Sequence, residues 1–230
     1  MDNDEIIMPG QHIEKAENLA KSQEVILGPG LRRINDKVIA SKAGILRCKK
    51  NRFYIDNYQK RYVPVQKDSV IGIVTQRAGD IFRVDIDAHE LASLSYLAFE
   101  GATKKNQPAV VVGDLVFAKL VLAIKDLEPE LVCVDSKGKK GRLGVLKDGF
   151  MFKCSINLVR KILRPGCPLL EALKIEVPYE IAVGMNGRIW IKGNNIKETI
   201  AIGNAILMAE YASDEKIRQM CENIGNILFK

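Results

Sequence analysis

The stretch Asp68-Ser-Val-Ile-Gly-Ile-Val-Thr-Gln-Arg-Ala-Gly-Asp-Ile-Phe-Arg-Val-Asp-Ile86 limits what this chain can fold into more than any other. Val70–Gln76 is β-branched and apolar. Arg77-Ala-Gly-Asp80 is a turn, and Ile81–Ile86 alternates with a period of two. That pattern places Phe82, Val84 and Ile86 on one face of a strand and Ile81, Arg83 and Asp85 on the other. A hairpin with one buried face needs further strands to cover it. Two runs can supply them: Val111–Val121, entered through Gly113-Asp114, and Leu131–Asp135. Short strands separated by glycine turns predict a small closed barrel over residues 62–147.

Two phrases carry a resemblance. Val70-Ile-Gly-Ile-Val74 and Gly113-Asp-Leu-Val-Phe-Ala118 resemble the first and later strands of the OB-fold RNA-binding barrel of the ribosomal protein S-one type. Residues 1–61 read as a small β-rich N-terminal unit. Its strands are Glu24–Leu31 (closed by Gly-Pro-Gly), two within Lys37–Cys48 broken at Ala43-Gly44, and Asn51–Asp56, while Gln11–Gln23 reads as a loop or a frayed turn. So few short strands supply little core of their own.

Residues 148–230 change character. Gly149–Cys154 is a strand. Ser155 can cap a helix over Ile156–Leu163 with Ile156, Val159, Ile162 and Leu163 on one face. Arg164-Pro-Gly166 stops it, and Pro168 suits the first position of a second helix, Leu169–Lys174. Tyr179–Val183 and Arg188–Lys192 are strands. Asn195 can cap Ile196–Tyr211, and Ser213 a last helix, Asp214–Ile224. The order strand-helix-helix-strand-strand-helix, plus an extra helix, is that of a KH domain. The chain is therefore multidomain, β and α+β.

A KH domain holds RNA with a G-x-x-G loop between its first two helices. Here that junction is Leu163-Arg-Pro-Gly-Cys-Pro168, with one glycine. Gly184-Met-Asn-Gly187 lies instead between two strands, where Asn-Gly signals a hairpin turn, read as type I′. A KH domain with G-x-N-G at this hairpin, behind a barrel and a β-rich unit, resembles the non-catalytic cap subunits of the RNA exosome, the ribosomal-RNA-processing forty branch. The resemblance implies that Gly184, Asn186 and Gly187 form a structural turn between domains. It also implies RNA as a ligand, with RNase-PH-like ring subunits and other cap subunits as partners. The implied task is admitting RNA to a channel that leads to separate nucleases, in the nucleus, nucleolus and cytoplasm. The rival reading is a stand-alone RNA-binding factor in translation or transcription.

A net charge of +7 suits a nucleic-acid partner, although the excess is spread along the chain with no basic tail. The candidate RNA-binding residues are Arg83 on the outer strand face, Lys104 and Lys105 in a polar turn, and Lys137, Lys139, Lys140 and Arg142 in the most basic loop. Phe82 belongs to the apolar face, Trp190 reads as core or interdomain packing, and Tyr96 can be core or a stacking platform. No Ser/His/Asp or Cys/His set, P-loop or G-x-G-x-x-G is present. The Asp85–Glu90 segment, with Asp85 and Asp87 on one strand face, reads as a polar strand end, so no enzyme activity, metal or cofactor is expected. Five cysteines without a C-x-x-C pair read as buried thiols in a reducing compartment. The acidic, polar Met1–Glu5 and the lack of a long apolar run lead us to expect no secretory signal and no membrane partner.

Overall fold

The computed structural model describes residues 5–20, 24–49, 51–124 and 126–228. Met1–Asp4, Lys21–Gln23 and Lys50, on which parts of the sequence reading fall, lie outside them. The chain divides into two compact units, Met1–Gln59 and Lys60–Lys230.

The first unit contains β1 (Ile6–Ile7), α1 (Glu14–Ala20), β2 (Ile26–Leu27), β3 (Leu31–Ile34), β4 (Lys37–Ala40), β5 (Gly44–Lys49) and β6 (Arg52–Asp56). One sheet has the order β1-β5-β6-β2, and β3 and β4 pair separately. Ile7, Ile13, Ala16, Leu31, Val38, Phe53 and Ile55 fill its core. Two expectations are corrected here. The loop expected over Gln11–Gln23 contains the helix α1. Its apolar period is weak, since Ala16 is the one fully buried helix residue among those whose burial is described, and it is tied down by the Glu17 carboxylate, which accepts the Val38 N–H at 2.7 Å. The strand expected over Glu24–Leu31 is reduced to Ile26–Leu27, because Gly28-Pro29-Gly30 turns the chain. Gly28 lies against Tyr54, where a Cβ would come within 2.8 Å of that side chain.

The second unit begins with the barrel: β7 (Ser69–Ala78), β8 (Ile81–Asp85), β9 (Ala92–Ser95), β10 (Leu115–Leu122), β11 (Glu130–Val132) and β12 (Gly144–Leu146). β7 pairs with β8, β8 with β9, β9 with β11 in parallel, β11 with β10 and β10 back to β7, which closes five strands into a barrel. β12 pairs with β10 beyond β11. Phe82, Val84 and Ile86 point into the core with Val70, Val74, Leu94, Val116 and Leu120. Tyr96, open to either role in the sequence, is 5% exposed and belongs to this core.

The KH part follows: β13 (Phe150–Lys153), α2 (Ile156–Leu163), α3 (Pro168–Glu176), β14 (Tyr179–Val183), β15 (Arg188–Gly193), α4 (Ile196–Met208) and α5 (Asp214–Leu228). Its sheet is antiparallel with the order β13-β15-β14. Ser155 caps α2 by accepting the Leu158 N–H at 3.0 Å, and Pro168 starts α3. The buried face of α2 is Ile156, Leu158, Val159 and Ile162; Leu163 is half-exposed at the helix end, where the chain turns away at Arg164. Asn195 occupies the cap position of α4, but its amide donates to Glu198 at 2.9 Å. The other Glu198 oxygen accepts the Asn194 N–H at 3.2 Å, so the glutamate ties the two residues before the helix to its first turn, and the Asn195 side chain makes no cap hydrogen bond. α4 ends at Met208 rather than Tyr211, because Lys161 Nζ donates to the carbonyls of Ala209 and Ala212, each at 2.7 Å, and holds the chain in a turn.

Four of the cysteines are buried or half-buried, whereas Cys48 is exposed, and no disulfide joins any of the five. Among the described residues no helix is long and apolar enough to cross a membrane.

Candidate nucleic-acid interface

The barrel surface is oriented by its seam with the KH sheet, and that seam is built from the β14–β15 hairpin. Gly187 N–H donates to Gly184 O at 3.1 Å, and Gly184 N–H donates to Arg188 O at 2.8 Å. Within this turn Gly187 alone has a positive φ, +78°. The type I′ expectation is therefore corrected. The loop is Met185-Asn186-Gly187, a tight turn followed by a left-handed glycine bulge, which needs a positive φ only at its last residue. The extra loop residue lets Asn186 reach away from its own hairpin.

Asn186 is buried and spends its whole amide on the barrel. Its Nδ2 donates to Ile71 O and Ile86 O, both at 2.9 Å, and its Oδ1 accepts the Ile71 N–H at 3.3 Å. Met185 N–H donates to Ser69 O at 2.8 Å. Gly184 leaves room for this approach, since a Cβ there would lie 2.8 Å from the Ile71 nitrogen. Next in the chain, the fully buried Arg188 donates to Asp85 O and to the Asp85 carboxylate, both at 2.6 Å. Burial works against the charged form of Asp85. The Asp87 N–H, the Arg188 guanidinium and Lys153 outweigh it and hold the carboxyl below its ordinary range. Ile71, Ala182 and Trp190 close the seam as a separate apolar cluster. Gly149 passes directly under the Trp190 indole.

Asp85 and Asp87 do not share a strand face: β8 ends at Asp85, and Asp87 has φ +63°. Asp87 pairs with Lys153 at 3.1 Å while Asp85 faces Arg188. Among the described residues no group of three or more His, Cys, Asp or Glu side chains could hold a metal.

The cationic candidates fall into three places. Arg83 is half-buried on β8 and pairs with Glu128. Lys137 and Lys139 stand on a tight turn organised by Asp135, whose Oδ1 accepts their backbone N–H groups at 2.7 and 3.3 Å. The Lys140 N–H donates to the Glu100 carboxylate at 2.9 Å, which draws this turn toward the segment carrying Lys104 and Lys105. Those five lysines are exposed, and none forms an ion pair among the described residues. Arg142 lies elsewhere, on a cleft between the barrel and the KH sheet.

Sequence reasoning missed the pairing of Arg188 with Asp85. In Arg188-Ile-Trp-Ile-Lys192 the arginine shares a strand face with Trp190, and a tryptophan beside an arginine on the supposed solvent face is the one signal that this face is covered.

The fold defined by this geometry is an S1-type barrel joined to a KH domain through a hydrogen-bonded hairpin. The profile described as "Exosome complex component RRP40, S1 domain" matches residues 62–144, a KH domain profile matches 149–197, and the mammalian RRP40 N-terminal profile matches 1–58. The chain is 57% identical to exosome complex component RRP40 of Drosophila melanogaster over 97% of each chain. It is 44% identical to the Homo sapiens protein of the same name over 94% of this chain and 83% of that one. A crystal structure provisionally described as an exosome complex RNA-binding protein matches with a TM-score of 0.60 and 27% identity, over 73% of this chain and 99% of that one. The chain belongs to the exosome complex component RRP40 family.

Proposed function

We propose that this chain is a non-catalytic, RNA-binding cap subunit of an RNA exosome. In this role it guides RNA into the channel toward separate nucleases and helps to hold RNase-PH-like ring subunits and other cap subunits together. The nucleus, nucleolus and cytoplasm are its places of work. The observation that carries the reading is 57% identity, along nearly the whole chain, to a protein named as an exosome component. Exposed lysines at one end of the barrel, with no ion pair among the described residues, support the RNA part. Purification of the tagged protein from its own cells should bring down RNase-PH-like subunits in stable proportion; recovery as a free monomer would refute the assembly.

Contact by the barrel turn has its own signature. Lysines that neutralise phosphates release counterions, so affinity falls with salt. Replacing Lys137, Lys139 and Lys140 together by alanine should weaken binding of oligouridylate at low salt. It should also flatten the slope of log affinity against log salt by up to about 0.7 per lost contact. An unchanged slope would remove this turn from the RNA path.

A further inference from the structure

The chain contains a single Asn-Gly pair, Asn186-Gly187, and the seam needs both residues. The positive φ of Gly187 closes the hairpin loop, and the Asn186 amide completes the backbone of Ile71 and Ile86. Such a pair loses its side-chain amide readily, because glycine leaves its own nitrogen open to approach the neighbouring side chain. The Gly187 nitrogen bonds to the Asn186 Cγ as the Cγ–Nδ2 bond breaks, and ammonia leaves with the Gly187 N–H proton. Water then opens the five-membered imide at either carbonyl, giving aspartate or isoaspartate. One amide and one water become one acid and one ammonia, and nothing is oxidised or reduced. The fold opposes the first step. Asn186 is 4% exposed, and hydrogen bonds to Ile71 and Ile86 hold its Oδ1 and Nδ2. The Gly187 proton that must be given up is donated to Gly184 O at 3.1 Å.

We propose that Asn186 is a hydrolytic modification site that the closed seam suppresses, so that a chain whose seam opens, or has not yet formed, is converted irreversibly into one that cannot rebuild it. Neither product fits the closed form. An ionised carboxylate at position 186 accepts hydrogen bonds and donates none. The Ile71 and Ile86 carbonyls would lose their donor at 2.9 Å and face a negative charge instead. The neighbouring guanidinium gives little relief, since Arg188 already donates to Asp85 O and to the Asp85 carboxylate. Isoaspartate adds a methylene to the main chain just before Gly187. That end of the loop is fixed, because Gly187 O accepts the Cys154 N–H at 2.7 Å. Opening alone is reversible; opening followed by hydrolysis is not. The proposal rests on the seam and is independent of RNA binding and of assembly.

The test compares the full chain with a capped peptide of residues 183–188, incubated at the same pH and temperature. Conversion at Asn186 is followed by mass spectrometry. Opening of the seam is followed by exchange of the Met185 N–H, which donates to Ser69 O at 2.8 Å. Where opening and closing are faster than hydrolysis, conversion follows the open population. The wild-type chain should therefore convert more than tenfold more slowly than the peptide, by the same factor that slows its Met185 exchange. Asp85→Asn removes the counter-charge of Arg188 and should speed conversion at least tenfold, in step with Met185 exchange. Asn186→Asp, one of the two products made directly, should exchange the Met185 N–H at least tenfold faster than wild type. Wild-type conversion within tenfold of the peptide, conversion in Asp85→Asn no faster than in wild type, or unaltered Met185 exchange in Asn186→Asp would each overturn the proposal.

Discussion

Gly187→Val should lower the melting temperature of the 60–230 unit by roughly 6–12 °C, a shift expected for a loss of about 3 kcal/mol in a unit of this size. Two costs add. Gly187 has φ +78°, where an L side chain is disfavoured by about 1–2 kcal/mol. A Cβ there would also lie 2.7 Å from the Cys154 carbonyl oxygen, and that contact is with backbone, which yields poorly. The strain falls on a working bond, because the Cys154 N–H donates to Gly187 O at 2.7 Å. Gly187→Asn separates the two costs: asparagine tolerates the left-handed conformation but still carries the Cβ. It should fall between wild type and valine. Oligouridylate affinity per folded molecule should stay unchanged in both variants. Wild-type melting together with tenfold weaker RNA binding would make this loop an RNA clamp.

Asp85→Asn should cost about 2–3 kcal/mol, or roughly 4–12 °C in melting temperature. The substitution leaves the fully buried Arg188 guanidinium without its counter-charge. A wholly buried pair broken in this way loses about 3–5 kcal/mol. The value here is smaller because 37% of the Asp85 side chain faces solvent, and water can partly replace the carboxylate. The loss should also depend on pH. A carboxyl held below its ordinary value of 3.8 contributes stability that is full above that value and vanishes as pH falls through the folded-state value. The gap between wild type and Asp85→Asn should therefore be widest near neutrality and close progressively below about pH 4. Asp68 titrates in the opposite sense, since burial raises it while the Tyr62 hydrogen bond opposes. It is common to both proteins and cancels in the difference. A gap constant down to pH 2 would show that the pair's charge does not hold the seam.

Period and punctuation made much of the fold readable. The alternation of Phe82, Val84 and Ile86 located the barrel core, and Ser155, Pro168 and the Asn186-Gly187 pair marked element ends, because each acts through its own neighbours. What stayed hidden acts over distance. α1 has the polar sequence Glu-Lys-Ala-Glu-Asn-Leu-Ala and depends on Glu17 reaching Val38, a contact no local pattern encodes. Leu163 fits the apolar stripe of α2, yet the helix ends there and the side chain stays half-exposed. Asn186 reads as a turn residue, and its amide could not be assigned to Ile71 and Ile86 before the fold was known. The lysines of the barrel end were visible as a charged run, but the separation of Arg142 from Lys137 and Lys139 depends on the short strand β12 that follows.

Asn186 lies 115 positions after Ile71, the residue whose backbone it completes. A ribosome adding about 5–20 residues per second needs ~6–23 s to cover that distance. During this interval the barrel strands emerge while the donor for the Ile71 and Ile86 carbonyls has yet to be synthesised, and the apolar surface around Ile71, Leu115 and Phe117 has no Trp190 to cover it. The exposure of that sticky surface in a living cell is set by the speed of translation, and slow codons between the two segments would lengthen it without changing a single residue of the finished protein.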